Sequence, residues 1–325
     1  MKQRLLVCLL AAGALATGSA QAQQSAAYPN HQVRVVVPYP PGGPTDLIAR
    51  ILAQKLTERM GQSFYVENIA GASGAVAAGQ VAKAAPDGHT LMVVTNDFAV
   101  ASVTNANLPY DPVKNFAPVT IVAASPQVIA VNPSVPAKDM KELVALIKAS
   151  PEKYNYAGMG IGFGQLSAER LFKLGLKMPE LVRVPFNGAA PAVNSTLAGQ
   201  TQIVILGLPP IAPHLSGGKL RALAVSSPTR TPSFPDIPTL RESGITDQDS
   251  ELQIGMVAPS GTPPAISAAL QKQIAEITAL PDVKKTLDTL SFYAVASTPA
   301  AFSEQIKDDI STWGKVMKEA NIPVN

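Results

Sequence analysis

The feature that most constrains the fold is a repeated unit in which an apolar strand runs into a glycine-bearing loop and then a helix. In the first unit, residues 33–37 are a β-branched run that ends at Pro38. A loop over residues 39–44 follows, and apolar residues then recur at helical spacing over residues 47–60, where Gly61 ends the helix. Strands that alternate with helices in this way predict an α/β protein with a parallel, doubly wound sheet.

The same unit recurs along the chain. Residues 63–66 are a second strand, with a glycine-bearing loop at 70–74, an alanine-rich helix and a third strand at 90–94. A strand near residues 154–156 opens into the glycine run 158–164, and a helix is predicted from about Gln165 to Gly175.

Two longer apolar stretches, residues 119–131 and 252–257, are predicted to be crossing strands that carry the chain between two lobes. Lobe one is then discontinuous, with residues 28–125 and 255–325, and lobe two comprises residues 126–254. A terminal helix that begins at Thr298 is expected to pack on lobe one.

The N-terminus has the pattern of a secretory signal peptide. Lys2 and Arg4 precede an apolar run of residues 5–15, and small residues lead to a cleavage site after Ala22, so we expect a periplasmic protein that has lost residues 1–22. The formal charge of +3 falls to +1 without Lys2 and Arg4, because residues 1–22 contain no Asp or Glu. That balance gives no electrostatic reason to expect a nucleic-acid partner.

The sequence argues against catalysis and against a metal or other cofactor. Its three histidines do not have the spacing of a zinc helix, and no Gly-x-Ser-x-Gly motif occurs. The glycine run 158–164 also fails as a dinucleotide loop, because the third glycine that the motif requires falls on Phe163 or Gln165. A secreted hydrolase with dispersed catalytic residues remains the alternative.

Two of the glycine-bearing loops, residues 39–46 and 158–165, lie between a strand and the start of a helix. Backbone N–H groups at a helix start have no intrahelical acceptor, and the helix dipole is positive there. If the loops face each other across a cleft between the lobes, they can hold one carboxylate from both sides. Asp46 either caps its helix, which we favour, or faces the cleft.

Several motifs resemble the Bug-type receptors of tripartite tricarboxylate transporters. The motifs span nearly the whole chain after the N-terminal segment: residues 38–46 (PYPPGGPTD), 66–68 (VEN), 71–74 (GASG), 86–91 (PDGHTL), 184–186 (VPF), 197–200 (LAGQ), 235–239 (PDIPT) and 258–263 (APSGTP).

This resemblance implies a type II periplasmic binding protein, with two Rossmann-like lobes that close on a ligand, and a two-component membrane permease as partner. A sensor kinase is the alternative partner, and a monomer is the simplest expectation. The ligand is expected to be a dicarboxylate, a tricarboxylate or an aromatic carboxylate, with Phe163 and Tyr39 as apolar walls. The predicted ligand-binding residues are Tyr39, Pro41, Gly42, Gly43, Thr45, Asp46, Asn96, Gly160, Ile161, Gly162, Phe163, Gly164, Gln165, Asn187 and Gly188.

Overall fold

A computed structural model describes residues 28–324, so the predicted signal peptide lies outside the described residues. Within them the chain forms a ten-stranded mixed sheet in the order β2-β1-β3-β9-β4-β7-β5-β6, with β8 and β10 both paired to β4. The strands are β1 (Val33–Val37), β2 (Phe64–Asn68), β3 (Thr90–Thr95), β4 (Phe116–Val131), β5 (Asn155–Met159), β6 (Val182–Phe186), β7 (Ile203–Gly207), β8 (Arg221–Val225), β9 (Glu251–Pro259) and β10 (Tyr293–Ala294).

Helices cover both faces of this sheet. They are α1 (Pro44–Met60), α2 (Ala75–Val81), α3 (Asp97–Thr104), α4 (Met140–Ala149), α5 (Phe163–Glu169), α6 (Ala189–Leu197), α7 (Ala212–Ser216), α8 (Pro264–Thr278), α9 (Pro281–Thr289) and α10 (Pro299–Glu319). The α5 helix continues directly into a π-helical segment, Arg170–Gly175.

Alternation along each strand divides its side chains between the two helical layers. On β1, Val33, Val35 and Val37 pack with α1, α8 and α9. Val36 points to the opposite face and packs with α2, α3 and α10. Both faces of the strand are therefore covered, which agrees with its nearly continuous β-branched sequence, interrupted by the partly buried Arg34.

The parallel core of each half of the sheet is confirmed, but antiparallel strands join the halves. β1, β2 and β3 pair in parallel, as do β5, β6 and β7. β4 is antiparallel to β9 over Phe116–Pro126 and antiparallel to β7 over Gln127–Val131. The long strand β4 therefore belongs to both halves, and the predicted lobe boundary after residue 125 falls within it.

The terminal helix α10 packs on the first half of the sheet, as predicted, and it also contacts α5. Thr298 is its N-cap and accepts a hydrogen bond from the Ala301 N–H at 3.1 Å. Phe302 and Ile306 pack on the first half of the sheet, as expected. Trp313 and Met317 cluster both with Val100 of α3, in the same half, and with Phe163 of α5.

Among the helices within residues 28–324, none is long and apolar enough to cross a membrane.

Candidate ligand-binding site

The loop between β1 and α1 is held by a carboxylate from within the helix. Gly43 is the N-cap residue of α1, and it has no side chain that could accept a hydrogen bond. Asp46 lies in the first turn of the helix and is not the N-cap residue that we favoured. Asp46 Oδ2 accepts hydrogen bonds from the Gly42 N–H and from Arg50 Nε, both at 2.9 Å. Asp46 is 2% exposed, so its carboxylate interacts with the loop and with α1 and not with the cleft.

The pKa of Asp46 reflects these contacts. Burial alone would raise this pKa, but the hydrogen bonds from Arg50, Gly42 and Asn68 together lower it below its ordinary value. Asn68 Nδ2 donates to Asp46 Oδ1 at 2.8 Å and to the Tyr39 carbonyl at 3.0 Å, which ties the loop to β2. Asp46 is therefore ionised at neutral pH.

The other predicted residues of this loop differ in exposure. Pro41 and Gly42 are exposed, and Gly43 and Thr45 are partly buried. The Tyr39 hydroxyl shares a hydrogen bond of 2.7 Å with Thr95 Oγ1, which lies at the end of β3. Burial and the nearby Asp97 carboxylate raise the pKa of Tyr39. Tyr39 is thus a neutral hydrogen-bonding residue within the loop.

The loop between β5 and α5 is held at its β5 end by two hydrogen bonds. Arg183 Nη1 donates to the Met159 carbonyl at 2.9 Å, and the Gly160 N–H donates to the Phe186 carbonyl at 3.2 Å. Ile161 is exposed, Gly164 is partly buried, and Gln165 is buried with an Oε1 that has no hydrogen-bond partner among the described residues. The α5 helix begins at Phe163, two residues before the predicted start.

Asp97 meets this loop, and no sequence pattern predicted it. Its Oδ1 accepts a hydrogen bond from the Phe163 N–H at 2.8 Å, across 66 residues of chain. Gly162 has φ +146°, and a Cβ there would lie 2.6 Å from Asp97 Oδ1. Only glycine therefore fits this approach of the loop to the carboxylate.

Phe163 packs between the two halves of the molecule. Its ring meets Trp313 of α10 edge to face, with ring centroids 5.3 Å apart, and its side chain is 5% exposed. Arg170 lies over the Trp313 ring, with 5.8 Å from Cζ to the ring centroid. Phe163 is thus occupied by a contact within the protein, and its proposed contact with a ligand stays a prediction.

Asn96, Asn187 and Gly188 have separate environments. Asn96 is buried, and its Oδ1 accepts a hydrogen bond from the Gln253 N–H on β9 at 2.7 Å. Asn187 is exposed, and Gly188 is the N-cap of α6. Asn96 therefore supports the junction of the sheet, whereas Asn187 and Gly188 are at the surface of the β6–α6 loop.

A cavity of about 880 Å³ joins three of these loops. Pro44, Met159 and Ala189 line it, and each is a direct neighbour of a predicted residue. Its remaining wall is mainly apolar and comes from residues 206–216, 232–234, Leu252 and 288–291. The fifteen predicted residues are not among those that line this cavity in the described chain, so their ligand contacts remain predictions.

The cavity has the size and character of a small-molecule site. Pockets that bind small molecules usually have volumes of about 300–1,000 Å³ and mainly apolar walls. The first residues of α1 and α6, Pro44 and Ala189, line it, and the unpaired N–H groups of the first turn of α6 begin at Ala189. Among the described residues, no group of three or more His, Cys, Asp or Glu could hold a metal ion.

Comparison with known proteins identifies the family. The profile of the tripartite tricarboxylate transporter family receptor, TctC, matches residues 48–322. The chain belongs to this family. It is a periplasmic solute-binding receptor of the TctC type, a family of substrate-binding receptors.

Individual relatives agree with this assignment. The receptor is 32% identical to BugT of Bordetella pertussis (strain Tohama I) over 308 residues, which are 94% of each chain. A protein of R. palustris solved with adipate is 31% identical, with a TM-score of 0.79 over 90% of the receptor and 98% of that chain. MatC from Rhodopseudomonas palustris, solved with bound malate, is 32% identical, with a TM-score of 0.74 over 89% of the receptor and 99% of that chain.

Proposed function

We propose that the receptor captures a small carboxylate-bearing molecule in the cavity between its lobes, closes on it by a hinge motion, and delivers it to a two-component membrane permease. The observation that carries this proposal is the convergence of the β1–α1, β5–α5 and β6–α6 loops on one cavity of about 880 Å³. Relatives solved with adipate and with malate support a carboxylate as the ligand class.

The energetics of the cavity are adequate for a carboxylate. A hydrogen bond to a charged group contributes about 1.5–3 kcal/mol, and a helix N-terminus about 0.3–2 kcal/mol. The α6 helix has no acidic residue in its first turn, so its dipole is available to an anion at the Ala189 end of the cavity. A few such contacts, together with apolar burial, support micromolar binding, which corresponds to about −8 kcal/mol.

A thermal-shift screen tests the ligand class. The protein without residues 1–22 is unfolded and refolded to remove any bound ligand, and is then titrated with monocarboxylates, dicarboxylates, tricarboxylates, aromatic acids and their uncharged amides. A ligand at about 100 times its Kd stabilises the fold by about 2.7 kcal/mol, which raises Tm by about 4 °C for a chain of this length. We expect shifts from acids and none from amides; equal shifts from both would refute the carboxylate assignment.

A matched pair of variants locates the site. Ala189→Asp places a negative charge at the first position of α6, where the helix dipole tolerates it, and should abolish the shift. Ala300→Asp makes the same change in the first turn of α10, away from the cavity, and should leave the shift intact. If both variants bind alike, the ligand does not lie in this cavity.

Delivery to a permease is tested by transport. Deletion of the receptor gene should abolish uptake of the identified carboxylate by whole cells, and the receptor supplied on a plasmid should restore it. Uptake that continues unchanged without the receptor would contradict the transport role.

A further inference from the structure

Arg183 links a buried acid to the loop between β5 and α5. On β6 it is the register partner of Tyr156 on β5, and its side chain extends along β5 past Gly158, where a Cβ would lie 3.6 Å from Arg183 Cδ. Its Nη1 donates to the Met159 carbonyl at 2.9 Å. The guanidinium therefore reaches the residue at which the strand opens into the glycine-bearing loop.

The last residue of α5, Glu169, contacts the same guanidinium from the helix side. Its carboxylate is buried, with Arg183 Nε at 3.6 Å from Oε1 and Lys173 Nζ at 2.8 Å from Oε2. The Tyr156 hydroxyl donates to Oε1 at 3.1 Å, and burial and the Glu169 carboxylate raise the pKa of Tyr156, so this hydroxyl keeps its proton. Because buried ion pairs are screened little by salt, we expect Glu169 to hold Arg183 in the orientation that reaches Met159.

The loop that Arg183 contacts is rich in glycine and needs contacts to order it. Glycines occupy every second position from 158 to 164, and glycine loses more conformational freedom on ordering than any other residue. A loop that is ordered only when a ligand binds lowers the affinity, whereas a loop that is ordered beforehand raises it. At the β5 end, the bond from Arg183 to Met159 and the bond from the Gly160 N–H to the Phe186 carbonyl supply this order.

Arg183 and Glu169 lie outside the cavity of about 880 Å³, whereas Met159 lines it. They line instead a cavity of about 350 Å³ that also includes residues 320–323, and among the described residues the two cavities share no lining residue. Any effect of this ion pair on a ligand must therefore pass through Met159 and the loop that follows it.

We infer that Arg183 is a positioning residue for ligand capture. Held by Glu169, it orders the loop over residues 158–164, so that Met159 lies in the wall of the ligand cavity before a ligand arrives. This inference rests on the proposed capture of a carboxylate in that cavity. Because the order belongs to the ligand-free protein, it can be measured separately from binding.

Arg183→Lys tests this role, because an ammonium keeps the charge but lacks the planar fork that contacts the Glu169 carboxylate and the Met159 carbonyl together. Hydrogen–deuterium exchange of the ligand-free protein should become about three- to tenfold faster over residues 160–164, as expected for the loss of one hydrogen bond. The acid that gives the largest shift in the thermal-shift screen should bind with a Kd about three- to tenfold higher by isothermal titration calorimetry.

Arg221→Lys is the matched control. Arg221 lies on β8 in the same half of the sheet, its Nη1 donates to the carbonyls of Val135 at 3.2 Å and Ala137 at 2.9 Å, and it lines neither cavity. This change should leave both the exchange over residues 160–164 and the Kd at their wild-type values.

Glu169→Gln is the second variant, and it keeps the inference testable should Arg183→Lys fail to fold. It keeps the size of the side chain and removes the charge that holds Arg183, so it should change exchange and Kd in the same direction. Because both residues act through one contact, the effect of the double variant on Kd should be smaller than the product of the two single effects.

The two readouts separate the possible failures. Unchanged exchange over residues 160–164 in Arg183→Lys, or a change that Arg221→Lys shares, would overturn the positioning role while the carboxylate receptor stands. Faster exchange with an unchanged Kd would overturn the link between this order and capture. If no carboxylate binds the wild-type protein, the proposed function itself fails, and this inference fails with it.

Discussion

Two buried carboxylates, Asp46 and Asp309, have opposite effects on the stability of this receptor at neutral pH. Their hydrogen bonds and burial decide the direction of each pKa shift. Asp46 accepts three hydrogen bonds, so its folded-state pKa lies below its ordinary value of 3.8. A lowered pKa means that the ionised group stabilises the fold above pH 4 and that this contribution is lost as pH falls through the folded-state pKa.

Asp46→Asn should therefore destabilise the receptor in a pH-dependent way. The amide replaces one acceptor oxygen by a donor, which faces the Gly42 N–H or Arg50. We expect a loss of about 1–3 kcal/mol in the free energy of unfolding by urea at pH 7 and a smaller loss at pH 3. The exposed Asp308→Asn should cost little at either pH, and an Asp46→Asn loss that does not change with pH would contradict the charge-based account.

Asp309 is the opposite case. Burial raises its pKa to about 6, although the hydrogen bond from Gln305 acts to lower it. A raised pKa favours the protonated form in the folded state, so stability is greatest below pH 4 and is lost as pH rises through about 6.

Asp309→Asn should remove the cost of ionising this buried carboxylate at neutral pH. We expect the variant to be more stable than the wild type by about 1–3 kcal/mol at pH 7.5 and equal to it at pH 4, measured by urea unfolding. The adjacent, exposed Asp308→Asn provides the comparison within the same helix. A stabilisation that is the same at both pH values would show that charge is not the cause.

At the scale of elements, α10 contacts both the first half of the sheet and α5. Glycines at its contacts set how closely it packs against β9 and α3. A Cβ on Gly255 of β9 would lie 2.4 Å from the Phe302 ring, whereas a Cβ on Gly314 would meet Val103 at an ordinary 3.5 Å. Gly255→Ala should destabilise the protein by about 1–3 kcal/mol by overpacking. Gly314→Ala should stabilise α10 by about 0.5–1 kcal/mol. Thermal unfolding should therefore give a lower Tm for Gly255→Ala and a higher Tm for Gly314→Ala than for the wild type.

The sequence predicted elements better than it predicted contacts between them. The strand, loop and helix at residues 33–61 follow from local chemistry, because β-branched residues, glycines and helical spacing act over a few positions. The bond from the Phe163 N–H to Asp97 joins residues 66 apart, and Asp97 looks like any helix-start acid in the sequence. The cavity likewise combines segments as distant as Pro44 and Leu290, whose meeting only the folded chain defines.

At the scale of the whole molecule, a seam between α5 and α10 couples the two halves of the sheet. The seam consists of the buried residues Val100, Phe163, Leu166, Trp313, Val316 and Met317. A receptor that closes by a hinge must keep or break this seam as its halves move. Because a ligand shifts open and closed states only by its differential affinity for them, the strength of the seam should set part of the apparent ligand affinity.

Phe163→Leu tests this coupling, because it keeps an apolar side chain and removes the aromatic contact with Trp313, which contributes about 0.5–1.5 kcal/mol. We expect the ligand-free variant to have a larger radius of gyration by small-angle scattering and a Kd about two- to tenfold higher, since fewer molecules are closed. Saturation with the tightest-binding carboxylate should return both proteins toward about 19 Å, the value for a compact chain of this length. Phe292→Leu, in the core of the first half, removes a ring without touching the seam, so equal effects of the two changes on scattering and Kd would contradict a role for the seam in closure.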